Sequence, residues 1–186
     1  MSILTKTSYT IDLDQMLKDM NSVLNYLWWP EHEIASKEVS NQISLKHRPN
    51  HESWLDGVGS LKDSNGVSFA DEKDFSVWHK DLPNYTRRVL EDLEKQENVK
   101  FGRVRYMRLL PRHGLRVHYD FEYRYHLALI TNRFSMFGHF YEGAEEVAKC
   151  YHIPADSTFY KVDTRIPHFV YNGGTEFRIH LVCCVL

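Results

Sequence analysis

The sequence predicts a mainly β fold, a sandwich or barrel with helices placed before and beside it. Three observations carry this. After Lys100 the chain becomes a series of short runs rich in aromatic and β-branched residues. Turn-like breaks at 111–114, 131–133, 154–156 and 172–174 separate those runs. The longer stretches with helical spacing of apolar residues all lie before Lys100. Short strands at such intervals build sandwiches and barrels.

Each element has its own warrant. Residues 11–27, IDLDQMLKDMNSVLNYL, place Leu13, Met16, Leu17, Met20, Leu24 and Leu27 near helical spacing. This amphipathic helix stops near Trp28-Trp29-Pro30, because a proline disfavours helix in the residue before it. The two tryptophans read as packing at the helix end. Residues 40–80 are polar and turn-rich, and Asn65-Gly66 is a hairpin-type turn signal. A second helix is expected from Pro83 to Gln96, with Val89, Leu90 and Leu93 on one face. The runs FGRVRYMRLL, RVHYDFEY, RYHLALIT, FSMFGHFY, STFYKV, HFVYN and EFRIHLVCCVL read as strands. AEEVAK reads as a short helical insertion.

The chain of 186 residues suits one domain. Residues 1–99 form a helical and irregular support region with early strands, and 100–186 form the β core with the site. Hydrophobic content of 42% and charged content of 26% are ordinary for a globular protein. The net charge of -2 gives no bias toward a polyanion, so no nucleic-acid partner is expected. No apolar run approaches the ~18 residues of a membrane span, and the first residues lack the apolar core of a signal peptide. The odd count of 3 cysteines, two of them adjacent in a strand-like tail, fits a reduced, cytoplasmic setting.

The chemistry concentrates in RVHYDFEYRYHLAL. Imidazoles and carboxylates are costly to bury unless paired or metal-bound. In a strand, residues two apart share a face, so His118 and Asp120 point one way, as do Arg124 and His126. Two ligands from one strand and a third from another make a 2-His-1-carboxylate facial triad, which suits Fe(II) with open positions. His168 is the best third ligand. Arg178 follows it by ten positions, and a hairpin through 172–174 brings the two together. A guanidinium there can grip a carboxylate bidentately. A second His-x-Asp, His79-Lys80-Asp81, lacks strand-like flanks, and ten residues after its next plausible distal histidine, His126, stands Met136 rather than arginine. His79 and Asp81 therefore read as surface or helix-capping residues. Tyr119, Phe121 and Tyr123 alternate with the ligand face and read as packing. Trp54, Arg105, Arg112 and His113 read as surface or core residues, and Asn172 as shaping the turn.

MRLLPRHGLRVHYDFEYRYHLALIT and FYKVDTRIPHFVYNGGTEFRIHLV resemble the Fe(II)- and 2-oxoglutarate-dependent oxygenases. Within them the chain is similar to the aspartyl/asparaginyl β-hydroxylase-like branch, which includes small prokaryotic amino-acid and proline hydroxylases. The resemblance covers about residues 84–186. It implies a double-stranded β-helix, a cupin-like jelly roll. It implies that His118, Asp120 and His168 hold iron, that Arg178 and His126 hold 2-oxoglutarate, and that Arg124 anchors a substrate carboxylate. The implied enzyme is a dioxygenase. It uses O2 to hydroxylate an unactivated C–H bond of a free amino acid or of a residue in a peptide, releasing succinate and CO2. Asp120 stands where animal members have glycine and where related halogenases lack the carboxylate. It thus points to the small amino-acid hydroxylases and away from halogenation. Two other readings stand beside this one: desaturation on the same centre, and a jelly-roll module that binds a metal or small acid without turnover. Arg178 speaks against the module, since metal sensing alone needs no carboxylate clamp.

Overall fold

The structure is a computed structural model that describes residues 3–26, 41–140 and 148–186. Strands dominate the described residues, which fall into two compact units: residues 1–10 with 108–181, and residues 11–107 with 182–186.

The first unit contains the jelly roll. In one sheet β1 (Leu4–Thr10), β10 (Thr158–Val162), β7 (Arg124–Ile130) and the start of β12 (Arg178–Val185) are neighbours in that order. In the other the order is β6 (His113–His118), β11 (His168–Asn172), β8 (Ser135–Phe140), β9 (Ala148–Tyr151). From β6 to β12 the chain crosses between the sheets at every step except β8 to β9. That alternation is the winding of a double-stranded β-helix. Side chains two apart share a face, so Tyr160 and Val162 of β10 enter a core with Ala128 of β7, Phe137 of β8 and Val170 of β11. Each large side chain so buried contributes about 1.5–3 kcal/mol.

The strand β1 precedes both helices, whereas the sequence outline starts on a helix. Its polar run LTKTSYT is mostly exposed, so hydrophobic patterning does not reveal it. Backbone pairing with β10 and the Lys6–Asp156 ion pair at 2.6 Å hold it in place.

The second unit carries α1 (Leu13–Tyr26) and α2 (Asn84–Glu97), which agree with the two expected helices. Met16, Met20 and Val23 of α1 and Val89, Leu90 and Leu93 of α2 are buried. Asp19 accepts hydrogen bonds from the Thr86 amide (3.0 Å) and hydroxyl (2.9 Å). A carboxylate thus meets the amide end of α2, where the helix dipole favours it. Asn98 closes α2 in the left-handed conformation, φ 51°. Here β2 (Gln42–Ser44) pairs with β5 (Phe101–Leu109), and β3 (Lys46–His47) with β4 (Val77–Trp78). The Asn65-Gly66 turn is present: Gly66 has φ 78°, and Asp63 Oδ1 accepts from the amides of Asn65 and Val67. Leu27 and Trp28-Trp29-Pro30 lie outside the described residues. So does most of AEEVAK, but its end, Ala148 and Lys149, belongs to strand β9 rather than to a helix.

Candidate metal centre

The antiparallel pairing of β6 and β11 closes the fifty-residue gap between two histidines. His118, the last residue of β6, is the cross-strand partner of His168, the first of β11. Their ring centroids are 4.3 Å apart. Each imidazole donates its Nδ1 proton to the carbonyl two residues before it: His118 to Arg116 at 2.7 Å and His168 to Ile166 at 2.9 Å. A carbonyl only accepts, so Nδ1 carries the proton and Nε2 keeps its lone pair. That is the tautomer in which a histidine ligates metal, with its other nitrogen held by an outer partner.

Asp120 reaches the pair by a different route from the expected one. Strand geometry ends at His118, so the two-residue alternation does not extend to Asp120. Instead the Asp120 amide donates to Thr164 O at 2.8 Å, and Thr164 Oγ1 donates to Glu122 O at 2.6 Å. These bonds tie the loop after β6 to the chain just before β11. Asp120 Oδ1 accepts from Arg124 Nη2 at 2.5 Å, and Asp120 Oδ2 lies 3.6 Å from His168 Nε2. Oδ2 is buried and accepts no hydrogen bond among the described residues. One donor atom from each of His118, Asp120 and His168 falls within 4.8 Å of the others.

Leaving the strand also corrects the reading of the aromatics. Tyr119 and Phe121, on the loop after β6, are 68% and 81% exposed rather than buried in the core. Tyr123 lies under the Arg165 guanidinium, 3.9 Å from ring centre to Cζ.

His168 is deeply buried, and that burial lowers its pKa. The Ile166 carbonyl and Asp120 oppose the shift, while His118 and Arg124 add to it. Two imidazole nitrogens and one carboxylate oxygen make a mixed N/O donor set suited to a redox-active divalent metal.

A second cluster gathers Arg178, His180 and His126. Asn172 at the end of β11 sets up the turn that delivers Arg178. It donates to the carbonyls of Leu109, Leu110 and Glu176, and accepts from Asn132, Ser135 and Gly174. Arg178 opens β12, is buried, and has no acidic partner among the described residues. Burial pushes its pKa down to about 9. Its Nη2 lies 2.8 Å from His180 Nδ1, and the His180 ring meets His126 edge-on with centroids 5.8 Å apart. Arg124 and His126 are two apart on β7, so one face of that strand carries a member of each cluster.

Sequence reasoning missed His180. The signal was present, since Arg178-Ile179-His180 alternates in a clear strand. Trp54 and Arg105 belong to the second unit, where Arg105 is buried and donates to Gln42 Oε1 at 2.9 Å. His113 is exposed and bonded to Pro111 O, and Arg112 beside it is exposed. His79 is not a surface residue: it is 6% exposed and stacks on Trp54 with centroids 3.6 Å apart.

The alternating sheets and the converging His–Asp–His donors define a jelly-roll protein with a candidate mononuclear metal centre. The family model described as aspartyl/asparaginyl beta-hydroxylase matches residues 67–186. That is more than half of the sequence, and the chain belongs to this family. It is an enzyme of the hydroxylase type, in agreement with the resemblance read from the sequence. Comparison with curated proteins finds no match. Among solved structures the chain is similar to a cupin domain from Bordetella pertussis Tohama I, with 12% identity, a TM-score of 0.38, and coverage of 45% of this chain and 80% of that one. It is similar to an oxidoreductase of the 2OG-Fe(II) oxygenase family from Burkholderia pseudomallei, with 16% identity, a TM-score of 0.44, and coverage of 56% and 57%. It is also similar to the Drosophila melanogaster CENP-C cupin domain, with 13% identity, a TM-score of 0.34, and coverage of 45% and 59%. The last two matches span less than two thirds of those chains. Among the described residues no helix is long and apolar enough to cross a membrane.

Proposed function

We propose that the protein is an Fe(II)- and 2-oxoglutarate-dependent dioxygenase. Its substrate is a free amino acid or an amino-acid residue in a peptide, hydroxylated at an unactivated C–H bond with release of succinate and CO2. His118, Asp120 and His168 hold the iron, Arg178 holds the distal carboxylate of 2-oxoglutarate, and His126 contacts the same cosubstrate.

The observation that carries this reading is the unpaired Asp120 Oδ2 beside His168 Nε2, with both histidine Nδ1 atoms already committed to backbone carbonyls. A buried carboxylate oxygen without a partner is costly. A divalent cation completes it, and two imidazole lone pairs are oriented to share that cation. The residues present therefore fit the metal. When bound, Fe(II) together with 2-oxoglutarate supplies the oxygen activation that hydroxylation needs.

The chain's own residues do the positioning. Arg124 holds Asp120 by Oδ1, which leaves Oδ2 for the metal. The remaining N–H groups of Arg124 are the candidates for a substrate carboxylate. Arg178 is a buried cation whose charge calls for an anion, and its planar fork matches a carboxylate. Buried thiols at Cys183 and Cys184 agree with a reduced, cytoplasmic setting.

The test is succinate release by the purified protein with Fe(II), 2-oxoglutarate and ascorbate under air, against a panel of free amino acids and short peptides. The reading expects one substrate class to stimulate succinate release and to gain one oxygen atom. Tight metal and 2-oxoglutarate binding with no stimulation by any member would contradict it. Succinate release with a product that has lost two hydrogens instead would assign desaturation.

A further inference from the structure

His180 belongs to no part of the site read from the sequence, yet among the described residues it makes the one hydrogen bond to the Arg178 side chain. A guanidinium has donors and no acceptor, so in the 2.8 Å contact His180 Nδ1 must accept. The imidazole is therefore neutral, with its proton on Nε2. Burial, the positive charge of Arg178 and the nearby His126 and His152 all hold the ring neutral, well below the ordinary imidazole pKa. Its Nε2 is buried and makes no hydrogen bond among the described residues, so none of them pulls the ring away from Arg178.

We propose that His180 is the positioning residue for Arg178: by accepting one Nη2 proton it fixes the rotation of the guanidinium plane, so that the free edge of the fork faces the 2-oxoglutarate carboxylate. This rests on the 2-oxoglutarate reading above. Arg178 and His180 are two apart on β12 and share a face, so the strand itself sets their spacing. Burial excludes the water that would otherwise satisfy the guanidinium, so an arginine with no acidic partner needs a fixed acceptor to choose one orientation. A protonated imidazole cannot do this, and neither can an aliphatic side chain.

The test is calorimetric titration of 2-oxoglutarate into the anaerobic protein loaded with Mn(II). His180→Leu should weaken 2-oxoglutarate binding about tenfold or more, the loss expected when a hydrogen bond to a charged group is removed. The Mn(II) affinity should stay unchanged. His180→Asn, whose Oδ1 replaces the Nδ1 acceptor, should restore binding to within about threefold of wild type. With Arg178→Lys in place there is no fork to orient, and adding His180→Leu should then cost less than about threefold. If His180→Leu fails to fold, His180→Ala takes its place. Equal binding by wild type and His180→Leu overturns the inference. So does an Asn variant as weak as the Leu variant, or a full additive loss in the Arg178→Lys background. Failure of the wild type itself to bind 2-oxoglutarate overturns the cosubstrate reading, which is a separate and visible result.

Discussion

Asp120 divides its two oxygens between two neighbours: Oδ1 receives Arg124 Nη2 at 2.5 Å, and Oδ2 stands 3.6 Å from His168 Nε2 with no hydrogen bond of its own. This arrangement makes Asp120 a one-oxygen donor. His168→Ala or Asp120→Ala should lower divalent-metal affinity by more than about 100-fold, beyond the range seen on loss of outer partners. Titration with Mn(II), followed by its electron spin resonance signal, measures it. An unchanged affinity in either variant would place the metal elsewhere.

Arg124 carries a different expectation. Its grip on Oδ1 orients the carboxylate, so Arg124→Met should weaken Mn(II) binding about 10- to 100-fold. An arginine that served only a substrate carboxylate would leave metal affinity untouched and raise only the KM of the substrate. The same titration separates the two roles.

Asn172 is fully buried and uses both ends of its amide: Nδ2 serves three carbonyls and Oδ1 accepts from three donors. Asn172→Ala strands those groups in the interior. We expect a loss of about 3–5 kcal/mol in urea unfolding at neutral pH, more than a single exposed hydrogen bond could give. A loss below about 1 kcal/mol would mean that the turn holds its shape without the amide.

In the second unit, Glu72 meets Arg103 at 2.6 Å. Burial raises the Glu72 pKa, but hydrogen bonds and charge from Arg103 outweigh it and hold the carboxyl below its ordinary 4.5. A carboxylate with a depressed folded pKa stabilises the fold fully above its unfolded value. That stability is lost as pH falls through the folded value. Unfolding free energy should therefore drop below about pH 4.5. Glu72→Gln should cost about 2–4 kcal/mol at pH 7, because the buried Arg103 loses the charge of Glu72. It should also flatten part of the acid slope. An identical acid slope in the variant would remove Glu72 from the account.

Much of this was legible in the sequence because strand runs announce themselves by composition. Six of the seven runs after Lys100 became strands over most of their length, RVHYDFEY only as far as His118, and the turn at 172–174 delivers Arg178 as its residue types require. His168 was legible as a candidate third ligand, whereas its cross-strand pairing with His118 joins two strands far apart in the chain and left no signal in the sequence. The parts that were not legible depend on backbone bonds between distant residues. Nothing in RVHYDFEY shows that strand geometry stops at His118, since the stop depends on the Asp120 amide finding Thr164. The polar strand β1 is held by backbone pairing with β10, which leaves no hydrophobic pattern to read. His79 looked like a surface residue because its stacking partner, Trp54, is twenty-five positions away. His180 was hidden by being one more alternating residue in a buried strand.

The most direct test of the central claim is anaerobic. Fe(II) is added to the purified protein, then 2-oxoglutarate, while the visible spectrum is recorded. Chelation of a keto acid by Fe(II) at the His118, Asp120 and His168 centre predicts a weak charge-transfer band that appears only with both additions. His168→Ala should abolish that band, and Arg178→Ala should shift it to higher 2-oxoglutarate concentration. A protein that binds Fe(II) at these residues yet shows no band at saturating 2-oxoglutarate would contradict the account and leave a metal-binding jelly roll without this cosubstrate.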